Sequence, residues 1–306
     1  MRRLLLGLML ITLLGAQTPG APSFDEAIAL FEDKDYAAAR EVAEPLAGAG
    51  DPAAMAMMGA LYQGGYGVGR DIAAAVDWYV KAAEKGHSGA TVSLAMIYLD
   101  PASGFADQLK ATTLLERAAL GGNVLAMHTL GLIAAGSEAG EPDWVKAAQW
   151  FRKSAEAGYA PAQYSLGVLY SDGQGVEKNQ IKAGEWYAKA ALQGLADAAL
   201  DYGVMVYRGD GVEKDEKVGA QWLLVAARKG NPVAQNRVAQ ILNAGRGLAR
   251  DPVEAAKWHL LATRNGRPDA ALDTMAAGLP EDQQAEAQAR ADAFVPEQLK
   301  AQDSQP

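Results

Sequence analysis

Cysteine is absent from all 306 residues. That excludes disulfides, thiolate metal sites and cysteine nucleophiles. Histidine is scarce: His87, His128 and His259 are the only three. No two of them stand at i and i+4, so no helix offers a pair of imidazoles to zinc. Positive charge is also short, with 28 Lys and Arg against 37 Asp and Glu, a formal net charge of −9. A chain of that sign has no long-range attraction for phosphate backbones or anionic membrane surfaces, so nucleic acid is excluded as the expected partner. Gly-x-Ser-x-Gly is missing, and no glycine loop leads into Gly-Lys-Ser/Thr. Neither a nucleophile elbow nor a phosphate loop is present. The expectation is a protein with no cofactor, no metal site and no enzymatic activity.

Long apolar runs are missing too, except at the start. Met1, Arg2 and Arg3 precede an apolar stretch at residues 4–14, and small or polar Gly15, Ala16, Gln17 and Thr18 follow. The run of about 11 residues falls short of the roughly 20 that span a bilayer. Basic start, short apolar run and small residues have the layout of a secretory signal peptide. Residues 1–16 are read as that leader, with cleavage after Ala16 or as late as Ala21. The mature protein is then expected in the periplasm or secreted, with no stable membrane insertion.

What is present is a repeat. Trp150, Trp186, Trp222 and Trp258 are 36 residues apart, and Trp78 lies twice that distance before Trp150, with Leu114 at the intervening position. Four residues after each comes a small side chain: Ala82, Ala118, Ser154, Ala190, Ala226, Ala262. Eight after each comes a glycine: Gly86, Gly122, Gly158, Gly194, Gly230, Gly266. Two more columns recur, Ala54 through Ala270 and Gly59, Ala95, Gly131, Gly167, Gly203, Ala239. Each period reads as two helices. Ala162, Leu166 and Tyr170 share one face of the first. Trp186 and Ala190 lie on the second, which stops at Gly194. Asp51-Pro52, Asn231-Pro232 and Asp251-Pro252 mark helix starts. A glycine inside the first helix costs about 1 kcal/mol against alanine, so a neighbouring helix is expected to pass close by. Between the helices lies a glycine turn, as in Gly173-Gln174-Gly175-Val176 and Gly209-Asp210-Gly211-Val212. The second and third periods lack it but keep its length. The tryptophan column, beside small alanines, reads as core.

Ala-x3-Leu-Gly-x2-Tyr, then Gly-x-Gly-Val, then Ala-x2-Trp-Tyr-x-Lys-Ala-Ala-x2-Gly resembles the Sel-one-like repeat (SLR) family, a cousin of the tetratricopeptide (TPR) repeat. The resemblance covers roughly residues 52–279. It implies an all-α fold, a right-handed α-α superhelix or solenoid of about seven 36-residue helix-turn-helix repeats. It also implies adaptor or scaffold work through a concave face lined by the first helices. Around it, residues 22–51 read as a degenerate N-terminal capping helix pair, 280–295 as a polar C-terminal capping helix, and 296–306 as a disordered tail.

By similarity to TPR grooves, the free positions lie two before, two after and five after the consensus leucine. They are Ala56, Ala60 and Gln63, then Val92, Met96 and Leu99, then His128, Leu132 and Ala135. Tyr164, Val168 and Ser171 follow, then Leu200, Val204 and Tyr207, then Asn236, Gln240 and Asn243. Early positions are small and apolar; later ones are aromatic and polar. Tyrosines and amides together suit a peptide held by rings and hydrogen bonds. The candidate contacts are His128, Tyr164, Tyr207, Arg208, Asn236, Gln240 and Asn243. Trp144, off the tryptophan register, is added as a candidate exposed contact. His259 stands in the column of Tyr79, Phe151 and Tyr187 and reads as packing. His87 follows a helix-ending glycine and is expected to meet that helix's C-terminus. Arg208-Gly209-Asp210 spells an adhesion tripeptide, but the repeat already demands its glycines. The expected function is an exported monomeric scaffold for a protein or peptide partner in the envelope. The alternative is a cell-wall-associated binder or hydrolase of peptidoglycan or β-lactams.

Overall fold

The computed structural model describes residues 23–136 and 141–297. The expected leader at 1–16, the loop at 137–140 and the tail from 298 lie outside the described residues. The described residues fall into two compact units that divide between residues 90 and 91. The first contains α1 (Phe24–Glu32), α2 (Tyr36–Gly48), α3 (Pro52–Gly64) and α4 (Ile72–Glu84), each packed on the next. The division falls in the first turn of α5 (Ser88–Leu99). The second unit continues with a 3-10 turn at Pro101–Ser103, then α6 (Gln108–Leu120), α7 (Val124–Ala135), α8 (Trp144–Glu156) and α9 (Ala160–Asp172). After these come α10 (Gln180–Leu192), α11 (Ala196–Arg208), α12 (Glu216–Arg228), α13 (Pro232–Ala244) and α14 (Pro252–Arg264). The last described helices are the short α15 (Ala270–Ala277) and α16 (Glu281–Asp292). From α6 onward each helix packs on its successor until α14, which takes both α15 and α16. Among the described residues there is no strand.

Side-chain caps set most helix starts. Asp51 Oδ1 accepts from the N–H groups of Ala53 and Ala54 at 2.8 Å. Asp71, Asp107, Asp143, Asn179, Asp215 and Asp251 do the same for the second helix of each repeat. Each such cap is worth about 1 kcal/mol. His87 was expected to face the helix before it. Its backbone N–H does, donating to Ala82 O at 3.0 Å, and its Nδ1 also accepts from Ala90 N–H at 2.9 Å, so the ring caps the start of α5.

The turn inside each repeat is closed by one recurring backbone hydrogen bond. The capping residue of the second helix donates to a carbonyl near the end of the first: Asp107 to Tyr98, Asp143 to Ala134, Asn179 to Tyr170, Asp215 to Val206. This bond explains how repeats two and three keep the turn's length without its glycine pair. Where the pair exists, the second glycine does more than turn. Gly211 has φ +73, and a Cβ there would lie 2.6 Å from the backbone of Gln180. Gln180 is the first residue of α10, so each loop seats on the second helix of the preceding repeat.

The recurring alanines form the floor of the core. Ala126, Ala162, Ala198 and Ala234 are fully buried, as are Ala190, Ala226 and Ala262. Ser154 replaces alanine without loss, because its hydroxyl donates to Val124 O at 2.7 Å. Ala270, the last of its column, is exposed at the start of the short α15.

The tryptophan column differs from expectation. Only Trp258 is fully buried; Trp78, Trp150, Trp186 and Trp222 are half-buried at the core's edge. A lysine three residues on lies over the ring in several repeats, Lys81 on Trp78 at 4.3 Å and Lys189 on Trp186 at 3.9 Å. The buried plug is the next residue along: Tyr79, Phe151, Tyr187. These rings are what the helix glycines accommodate. A Cβ on Gly59 would meet Tyr79 at 2.6 Å, one on Gly131 would meet Phe151 at 2.5 Å, and one on Gly167 would meet Tyr187 at 2.7 Å. Where the plug is Leu115, the facing residue is Ala95, and both are fully buried in one cluster.

Candidate functional site

The first helices of the second unit, α5, α7, α9, α11 and α13, carry the columns left free by the repeat. The column two after the consensus leucine is Met96, Leu132, Val168, Val204 and Gln240. Met96 and Leu132 are about half exposed, at 46% and 49%. Together with Leu99, Tyr98 and Ile133 they line a hollow of about 460 Å³ that Asp107, Gln108 and Thr129 also border. Farther along the same columns, Val204, Tyr207 and Gln240 line a second hollow of about 240 Å³. Arg208, Arg237 and Arg246 share that lining, with Leu223, Ile241 and Ala244 as its apolar part. A third hollow of about 280 Å³ adjoins it through Arg237 and Gln240 and reaches Asn236, Arg267 and Asp269. Val92 alone of these columns in the second unit is buried, inside the cluster of α5, α6 and α7, so it is no groove residue.

The sequence candidates do not all meet. Tyr207, Arg208 and Gln240 line one hollow, and Asn236 and Gln240 the next. The Gln240 amide donates to Asp269 Oδ2 at 2.8 Å and to Asn236 Oδ1 at 3.1 Å, which fixes it in place. Asn243 lines neither; its carbonyl accepts from Arg250 Nε at 3.2 Å. Trp144 opens α8 and is half-buried against the core of α8, α9 and α10. It packs as part of the repeat stack rather than standing free.

His128 and Tyr164 reach sideways. His128 Nε2 lies 3.3 Å from Ser165 Oγ, with its ring 5.4 Å from both Phe151 and Tyr159. Burial there holds the imidazole below its ordinary pKa. The Tyr164 hydroxyl donates to Asp201 Oδ2 at 3.0 Å. Both bonds step from one first helix to the next, and both join residues 37 apart. The receiving column, one before the consensus leucine, is Ser165, Asp201 and Arg237. Sequence reading passed over it, although a search for polar pairs one residue beyond the period would have found it.

That column sets the electrostatics. Burial raises the Asp201 carboxyl above its usual range, partly offset by the Tyr164 hydrogen bond. Burial raises the Tyr164 and Tyr187 phenols as well, with Asp201 adding to both. Burial also lowers the Arg237 guanidinium, and Arg208 pushes in the same direction. Its Nε is buried with no hydrogen-bond partner. Arg246, by contrast, is held by Glu216 at 2.6 Å. Among the described residues no group of three or more His, Asp or Glu could hold a metal. No described helix is long and apolar enough to cross a membrane. Chemically, this surface can bury apolar side chains at one end and pair with an anion at the other.

The family profile described as "Sel1 repeat" matches residues 52–87, 89–123, 124–159, 160–195, 196–231 and 232–266. Among solved structures, a Sel1 repeat protein from Oxalobacter formigenes is 27% identical with a TM-score of 0.73, over 79% of this chain and 100% of that one. The c5321 protein of uropathogenic Escherichia coli, a protective antigen displaying an SLR fold, is also 27% identical. Its TM-score is 0.51, over 93% of this chain and 72% of its own. No curated protein sequence matches. Sel1 repeat proteins mediate protein–protein interaction, and their scaffold is typically non-catalytic. The six profile matches run without a break longer than one residue and agree with the helix pairs, turns and columns above, and on them the chain belongs to the Sel1 repeat family.

Proposed function

We propose that this chain is an exported, non-enzymatic scaffold of the bacterial envelope that holds a peptide segment of a protein partner along its first helices. The observation that supports this most is a single column. Met96 and Leu132 line the first hollow, and Val204 and Gln240, at the same repeat position, line the one that carries Arg208, Arg237 and Arg246. A repeat that keeps its alanine, glycine and capping columns constant while varying this one leaves the variation for a ligand. Apolar lining at both ends supplies buried area, and the arginines at one end supply orientation, the division of labour of peptide grooves. The leader at 1–16 carries the export part of the proposal.

In-cell crosslinking of a C-terminally tagged chain, with mass spectrometry of the captured material and cell fractionation, tests it. The expected result is one dominant envelope protein, lost from a Met96→Lys, Leu132→Lys variant that melts normally. Capture of nothing in its own host, or residence of the chain in the cytoplasm, would contradict it.

A further inference from the structure

We propose that the hollow between α11 and α13 takes a carboxylate of an acidic peptide segment, with Arg208 and Arg237 as its cationic partners and Tyr207 beside it. This rests on the peptide-scaffold reading and names the chemistry of its partner. Charge speaks first. The chain has a net charge of −9, yet three arginines line one hollow. Glu216 occupies only one of them, Arg246. Among the described residues no carboxylate forms an ion pair with Arg208 or Arg237. Asp201, whose charge Arg237 feels, accepts from the Tyr164 hydroxyl on its Oδ2 instead.

Hydrogen bonding points the same way. Arg208 and Arg237 both line the hollow, and a guanidinium meets a carboxylate through two parallel N–H donors. Size is compatible with this ligand: at about 240 Å³ the hollow has room for a carboxylate side chain or a chain end. Its floor of Val204, Leu223 and Ile241 is poorly polarisable, which strengthens an ion pair formed above it.

The probe is a rhodamine-labelled hexaglutamate with an amidated end, titrated into the full chain at low salt and followed by fluorescence anisotropy. An acidic chain offers this peptide no general attraction, so binding reports a local basic site. Hexaglutamate should bind and hexaglutamine should not. Affinity should fall at least about tenfold in Arg208→Gln and in Arg237→Gln, as expected for losing a charge-assisted pair, and should decline with added salt. Arg208 ends α11 and is exposed, so its variant tests the idea even if Arg237→Gln folds poorly. A neutral hexapeptide that binds only with its terminal carboxylate free would assign the anion to a chain end. Binding unchanged in Arg208→Gln, or no binding by either carboxylate source, would overturn the proposal. If the in-cell partner is still captured by Arg208→Gln, only the pocket falls; if the parent captures none, the scaffold reading falls with it.

Discussion

At the residue scale, the repeat is a set of paired choices. Gly167 faces the Tyr187 ring, and Ala95 faces Leu115. Gly167→Ala should therefore cost about 1–3 kcal/mol, the usual range for overpacking. Placing leucine at 187 should recover part of that loss. Urea melts of the single and double variants would measure the coupling, and strict additivity would contradict the pairing. Asp201 supports a second prediction. Its native pKa is raised by burial, so between 3.8 and that native value the folded state holds the extra proton. Stability from this group is present at low pH and is lost as pH rises through that window. Asp201→Asn keeps an acceptor for Tyr164 and removes the buried charge. The variant should melt higher than the parent at pH 7, with the difference vanishing below pH 3.8; a lower melting temperature at pH 7 would contradict it. The sequence made the glycine column legible because it recurs at 36. It hid the partner column, because Ser165, Asp201 and Arg237 share no chemistry that a period could reveal.

At the element scale, caps and turn bonds make each helix pair self-limiting. Asn179 accepts from Lys182 N–H at 2.9 Å to begin α10. Asn179→Ala should cost about 1 kcal/mol, read as a lower midpoint in denaturant with an unchanged slope. Helix starts and stops were legible because proline, aspartate, asparagine and glycine carry backbone rules in their side chains. The role of His87 was not. A histidine beside a glycine is compatible with ending one helix or starting the next, and here the backbone N–H meets Ala82 O of the first while the ring caps the second. The tryptophans were misjudged in depth for a related reason. Period shows that a position recurs, while burial depends on the direction of the side chain. The rings one residue later point inward and take the core.

At the molecular scale, stability in a stack belongs to neighbours, so the last repeat needs a cover. Phe294 lies edge-on to Trp258 at 5.4 Å, and Ala287 and Ala291 of α16 are buried. Truncation after residue 266 should expose Trp258. We expect a red-shifted tryptophan emission and a lower melting temperature, and an unchanged spectrum would contradict the capping role of α16.

Two faces compete as the binding surface. One is the first-helix column that includes Met96, Leu132 and Gln240. The other is the row Leu109, Val145 and Ile181 near the starts of α6, α8 and α10, each more than half exposed. Site-specific photo-crosslinking in the host cell separates them most directly, with the crosslinker placed singly at each of these six positions. The scaffold account predicts the same adduct from 96, 132 and 240 and none from 109, 145 and 181. Adducts from the second-helix row alone would contradict it.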